Sequence, residues 1–438
     1  MARITYSLSP FDYAMLVKHE SLQRRGYCGL SVLIAAELQG SLAASRLRKA
    51  ATRLGELYPA LSAHIGYTGP LRRPSWVLER NDRSHDTIEV SHHACDDMRA
   101  AIPLLEAALD EPVDVHRAAQ LRVVHVVGPD SSHLVALRWA HPLMDMEGGH
   151  HLLGTLDSIL RGQSPSLDCD PLAIHPPPYA QPTLSAWRKA WRGCRIYRKY
   201  DIVHQPRLMQ KPDNAPKRCR LVVRHYTRDQ RALFEAGARA RLAPGPLLYS
   251  RAIIIALGMA YRTMAEEKGR PRPRYLFPMA LPLPRKGQRP GVHGNYVTIA
   301  WILYESDDLT DWARADRVAS DQFRRHFNEG HAEAEWFMMR AASRWPFGFM
   351  NYLTSHRRHR AAAGFTGYKF DDSVGTLGDA KIVRLYGAGS MDCHPGWMLG
   401  RTTYGGTMSL SVTYFEDFLD TAGVNEFLDR LEKELFRS

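Results

Sequence analysis

Ser132-His133-Leu134-Val135-Ala136-Leu137-Arg138-Trp139-Ala140-His141-Pro142-Leu143-Met144-Asp145-Met146-Glu147-Gly148-Gly149 is the stretch that decides how this chain is read. An apolar run leads straight into His141, and Asp145 follows four residues later. The Gly148-Gly149 pair then opens a second apolar run, Leu152-Leu153-Gly154-Thr155-Leu156. This pattern predicts a strand that delivers an imidazole to its end, a tight turn and the start of a helix. A rigid sheet holds a reactive group well at such a strand end, beside a loop-lined cavity. By itself the pair is weak, because a lone His near a strand end is more often a satisfied structural residue.

Upstream, Ser9-Pro10 signals a turn before helical spacing of Phe11, Met15 and Leu16. A strand is expected over 30–38. A helix capped by Ser41 should run through Leu54 to Tyr58-Pro59, with a further strand over 60–65. A helix near 98–109 and strands over 121–127 and 133–139 complete the first half. Prolines punctuate 163–216 as in an inter-domain crossover. Within it lies a basic helix, 184–200, with Trp187, Trp191 and Cys194 on one face. Its tryptophans are expected to pack on the protein, because Trp is highly buried on average. The competing expectation is that they lie on an anionic membrane surface. The second half opens with a strand over 219–226, a capping box at Thr227 and Gln230, and a helix over 247–267. Strand-like segments at 275–285, 291–302 and 407–414 precede a terminal helix. The aromatic and Met-rich run 336–350 suits core or the lining of an apolar pocket.

The chain has 438 residues, more than one hydrophobic core usually supports, so two domains are expected. Hydrophobic residues at 45% and charged residues at 24% fit an ordinary globular protein. The longest apolar run, 252–260, is about half of the ~20 residues that span a bilayer. The first residues lack the apolar core of a signal peptide, so a cytoplasmic location is expected, with the inner membrane face as a peripheral alternative. Six scattered cysteines and two His doublets, His92-His93 and His150-His151, give no metal-ligand spacing; no metal is expected. The net charge of +12 favours anionic partners. Nucleic acid is not expected, because no zinc-finger spacing, RNP-like strand or basic zipper is present.

His141 with Asp145 resembles the HxxxDG motif of acyltransferases related to chloramphenicol acetyltransferase. That superfamily includes condensation domains, polyketide-associated acyltransferases and wax ester synthases. The resemblance extends in order over 6–438. It takes in Ser9-Pro10, the segment Tyr58 to Ile65, the strand ending at Arg285, Gly294-Asn295, Phe370 to Gly375, and the closing strand and helix. It implies two α/β domains in a V shape, each a mixed sheet with flanking helices, and an active-site channel between them. The halves would be 1–175 and 217–438, joined by the crossover 176–216.

The resemblance also implies roles. His141 would be the general base for moving an acyl group from a thioester to an alcohol or amine. Asp145 would pair with Arg285 as structural support; the bland alternative is a surface Asp and a surface Arg. Asn295 and Ser373 would be substrate contacts by position, or turn caps. The donor would be acyl-CoA or a phosphopantetheine thioester, with no tightly bound cofactor, and an acidic acyl carrier protein is the macromolecular partner implied. Two departures stand out. Ala140 occupies the place of the motif's first His, and Met146 stands where the family usually has Gly. Met146 leaves open an inactive module that binds a carrier protein, and the basic helix 184–200 leaves open a lipid-handling protein at a membrane surface.

Overall fold

Apolar runs broken by turns fold into two six-stranded mixed sheets and one three-stranded antiparallel sheet in the computed structural model. It describes residues 3–68, 73–79, 88–117, 120–165, 184–200, 215–283, 292–355, 361–390, 392 and 395–437. The first sheet has the order Thr376–Leu377, Ala380–Gly389, Ser31–Gln39, Ser132–Ala140, Leu121–Val127, Ile88–Ala94. Its central strands are buried along nearly their whole length, which is why their sequences read as continuous apolar runs. Helices Ala44–Leu57 and Met146–Leu160 bring Leu47, Leu54, Leu152 and Leu156 into one core with Leu137 and Trp139 of the motif strand.

The second sheet runs Val297–Glu305, Arg274–Pro282, Gly364–Lys369, Trp397–Tyr404, Thr407–Phe415, Cys219–Tyr226. Gly364–Lys369 is parallel to both neighbours and the other pairs are antiparallel. Helices Leu248–Glu267 and Thr421–Leu435 bury apolar stripes against this sheet. The protein is thus two α/β lobes, each a mixed sheet with helices.

The lobes do not divide at 217 as chain order suggests. Ala380–Gly389 pairs antiparallel with Ser31–Gln39, from Lys381 opposite Gln39 to Gly389 opposite Val32. Residues 376–389 therefore complete the first sheet although they belong to the second half of the chain. Val292, also from that half, lies in the core of the first lobe.

Local expectations fare unevenly. The expected capping box at Thr227 and Gln230 forms, and the Ser9-Pro10 turn proves to be a capping box as well, Ser9 with Asp12. Ser41 is not a cap: the helix starts at Ala44, with Ala43 at the N-cap and no side-chain bond. Residues 60–65 are not one strand. Pro59–Ser62 is a 3-10 turn and the strand is His64–Thr68, because Pro59 presets φ for a helical first turn. The basic helix Leu184–Tyr200 forms, but it packs through a face about 100° round from the expected one. Ala186, Ala190 and Gly193 meet the protein, and a Cβ at Gly193 would lie 2.5 Å from the Ala334 carbonyl oxygen. Trp187 and Trp191 are exposed.

Burial sets the acid response of the fold. It pulls the pKa of His125, His293 and His326 from 6.5 to about 4; His133 and His92 add to the effect at His125, and His331 at His326. Below pH 6.5 the unfolded chain takes up these protons first, so stability is lost as pH falls from 6.5 towards 4. Asp12 acts in the opposite sense. Burial raises its pKa from 3.8 to about 6, so acidification through that window favours the fold. The three histidines together outweigh Asp12. The melting temperature is expected to drop by a few degrees between pH 7 and pH 5, since a net loss of roughly 3 kcal/mol lowers it by about 1 °C per kcal/mol in a chain of this size. Calorimetry showing a flat or rising profile over that range would contradict this.

Candidate active site

The motif strand Ser132–Ala140 ends where the sequence predicts, and His141 begins the turn. The His141 N–H donates to the Leu30 carbonyl (2.9 Å), tying the turn to the neighbouring strand. Trp139 Nε1 donates to the Met144 carbonyl (2.9 Å) and closes the turn from below. Asp145 is the N-cap of Met146–Leu160, its Oδ1 accepting from the Gly148 N–H at 3.1 Å. Gly148 and Gly149 lie in the first helical turn, so they do not relocate the tight turn. They allow close approach: a Cβ would lie 2.2 Å from the Val292 carbonyl oxygen at Gly148 and 2.3 Å from the Trp139 ring at Gly149.

A segment from the second half of the chain clamps this turn. Asp145 Oδ2 accepts from the Tyr296 N–H (3.0 Å), and the Gly294 N–H donates to the Leu143 carbonyl (3.0 Å). Asn295 Nδ2 is shared among Asp12 Oδ1 (3.0 Å), the His141 carbonyl (3.0 Å) and the Pro142 carbonyl (3.3 Å). Its backbone N–H also donates to Asp12 Oδ1, at 2.8 Å. Asn295 is thus a buried brace that joins the first helix, the His141 turn and the 292–296 segment. Ser373 is elsewhere, exposed, with its N–H on Asp371 Oδ1 (3.0 Å), and it does not line the cavity at His141. Arg285, the partner that the resemblance implies for Asp145, lies outside the described residues.

His141 borders a cavity of about 150 Å³. Met15 and Lys18 enter it from the first helix, Asp145 and Met146 from the helix start, and Tyr368 from the second sheet. Burial holds the His141 pKa below its ordinary value. Its own backbone carbonyl, the Asp145 carboxylate and Asn295 pull the other way, while Lys18 adds to the lowering. The imidazole is therefore uncharged at neutral pH and able to accept a proton. Its Nδ1 is buried with no partner in another residue.

Met146 has an ordinary helical backbone, so no left-handed conformation is demanded at this place. Its side chain points into the cavity, and a Cβ added at Gly387 would lie 2.6 Å from Met146 Cε. Across Tyr368 from the cavity is an open groove of about 710 Å³, flanked by Glu147, His150, Asp371 and Asp372. Tyr368 lines both spaces and its hydroxyl meets His150 Nδ1 at 3.2 Å. Sequence reading missed Lys18, Tyr368 and Gly387. Only Lys18 carried a local signal, one helical turn after Met15 on the same face. The aromatic run divides: Trp336 and Phe337 are core with Phe11, whereas Trp345 and Phe349 are exposed and line neither space. Among the described residues no group of His, Cys, Asp and Glu is arranged to hold a metal ion.

No family model and no curated protein matches the chain. Solved structures do. The trichothecene 15-O-acetyltransferase of Fusarium sporotrichioides superposes with a TM-score of 0.72 at 12% identity, over 99% of this chain and 95% of that one. The first condensation domain of the calcium-dependent antibiotic synthetase, in complex with a substrate analogue, gives 0.69 at 10% identity over 99% and 96%. The starter condensation domain of rhizomide synthetase, a mutant in complex with C8-CoA, gives 0.63 at 10% identity over 99% and 94%. The chain has the two-lobed fold of these condensation domains and of this acetyltransferase over its whole length. At these identities the likeness is one of fold alone.

Proposed function

We propose that this protein transfers an acyl group from a thioester, on coenzyme A or a carrier protein, to an alcohol or amine. The observation that carries the reading is an uncharged, half-buried His141 at a strand end, bordering a cavity in this fold. His141 takes the proton from the acceptor O–H or N–H as that atom bonds to the thioester carbonyl carbon. The tetrahedral intermediate then collapses with cleavage of the C–S bond, and the imidazolium returns the proton to the departing thiolate. Asp145 and Asn295 hold the turn in place, and the open groove beyond Tyr368 serves as an approach. Phosphopantetheine arrives as part of the donor. The test is a panel of acyl-CoA and acyl-carrier thioesters with alcohol and amine acceptors, read by thiol release and product mass. Absence of turnover with every pair would refute the enzyme reading.

Met146 is the observation that favours a second reading, an inactive module that recruits a carrier protein, because its side chain takes up cavity space. The two readings separate in one variant. If Met146 only limits the depth of the donor channel, Met146→Gly should raise kcat/KM for longer acyl donors relative to acetyl by about tenfold, the effect of one or two methylenes in a pocket. An unchanged chain-length profile would show that Met146 does not bound the donor.

A further inference from the structure

We infer that the exposed face of Leu184–Tyr200, together with the neighbouring segment 344–352, is a docking surface for an anionic lipid bilayer. The inference stands independently of the acyl-transfer reading. Trp187, Trp191, Trp345, Phe349 and Tyr352 are 41–69% exposed. Large aromatic side chains gathered in this way on a surface mark an interaction site. They form one patch. The Arg344 guanidinium lies 5.8 Å from the Trp187 ring, Trp345 is its chain neighbour, and Trp345 stacks on Phe349 with ring centres 5.2 Å apart. Trp191 is one helical turn beyond Trp187, and Tyr352 one turn beyond Phe349.

The charge around the patch has one sign. Residues 184–200 and 336–355 contain eight Arg and Lys and no Asp or Glu. Arg188, Arg192, Arg195, Arg198 and Lys199 are exposed on the helix, in rows beside the tryptophans. Lys189 alone turns inward, to Glu333 at 2.6 Å. The helix reaches the protein through Ala186, Ala190 and Gly193 and, at its end, through Tyr197 and Tyr200 against Trp301, so both tryptophans are left to the outside.

Tryptophan and tyrosine settle at the level of lipid headgroups, and Arg and Lys around them meet anionic phosphate. An acidic carrier protein would satisfy the charge and cover part of the aromatic groups, but tryptophans flanked by rows of Arg and Lys along one exposed helix are the pattern of a helix lying in a headgroup layer. A bilayer uses both. The contact is peripheral, since among the described residues no helix is long and apolar enough to cross a membrane.

Co-sedimentation with phosphatidylcholine vesicles containing about one quarter phosphatidylglycerol tests this, at about 0.01 M and about 0.15 M salt. The expected result is binding that weakens at the higher salt, is lost on pure phosphatidylcholine, and carries a blue shift of tryptophan emission. Trp187→Ala/Trp191→Ala and Trp345→Ala/Phe349→Ala should each lower the partition coefficient at least about tenfold. These side chains are exposed, so circular dichroism and melting should stay unchanged. No vesicle binding at either salt, or equal binding by wild type and both variants, would overturn the inference. So would capture of a purified acidic acyl carrier protein or of RNA through this face in the absence of vesicle binding.

Discussion

Replacing His141 by Ala is expected to lower thioester turnover by about 100-fold or more, the usual contribution of a positioned general base. Stability should hardly change, and the reason lies in the environment of the ring. The turn is fixed by the His141 backbone N–H on Leu30 and by Asn295 on the His141 carbonyl, and both contacts survive the substitution. The imidazole Nδ1 is buried without a partner in another residue, so its removal strands nothing. A residue that adds little to the fold yet lines a cavity is what a reactive group looks like energetically. The pH dependence gives a second readout. Burial holds the imidazole pKa below 6.5, so the acid limb of kcat/KM should lie below that of a free imidazole. Full turnover in His141→Ala with a competent donor would remove the imidazole from the chemistry.

The sequence disclosed the elements whose signals are local. The Ser9-Pro10 helix start and the Thr227 capping box each lie within four residues, and the motif strand, the 219–226 strand and the terminal helix follow their apolar periods. It could not disclose that Ala380–Gly389 pairs with a strand about 350 residues earlier, since hydrophobic period carries no pairing partner. The brace at Asn295 was hidden for the same reason: its partners Asp12 and His141 are 283 and 154 residues away. Position within a familiar order of features suggested a substrate contact there. Buried hydrogen bonds make it a structural brace. The basic helix failed differently. Its period was read correctly, but the face turned inward is the one with small residues, where Gly193 lets two backbones approach. Size, rather than hydrophobicity, decided the orientation.

Asp145→Ala is expected to destabilise the protein by about 3–5 kcal/mol, because it strands two buried donors, each worth roughly 1.5–3 kcal/mol when bound to a charge. One is the Gly148 N–H in the first helical turn; the other is the Tyr296 N–H brought in from the second half of the chain. The loss is thus shared between a helix cap and the clamp that joins distant segments. Asp145→Asn keeps one carbonyl oxygen but turns an NH2 group towards the other donor, so about half the loss is expected. Denaturant titration of both variants checks this order, and equal stability of wild type and Asp145→Ala would show that neither bond matters. The carboxylate has about four acceptor positions, and the described donors use two. The remainder can take a cation, and Arg285 is the one suggested by the sequence. A double-mutant cycle with Arg285→Ala should give a coupling of about 1 kcal/mol or more if the two meet, and simple additivity if they do not. A further consequence separates Asp145 from a purely structural residue. Its charge raises the His141 pKa, so in Asp145→Asn the acid limb of turnover should move to still lower pH. A cap with no electrostatic tie to the imidazole would leave that limb where it was.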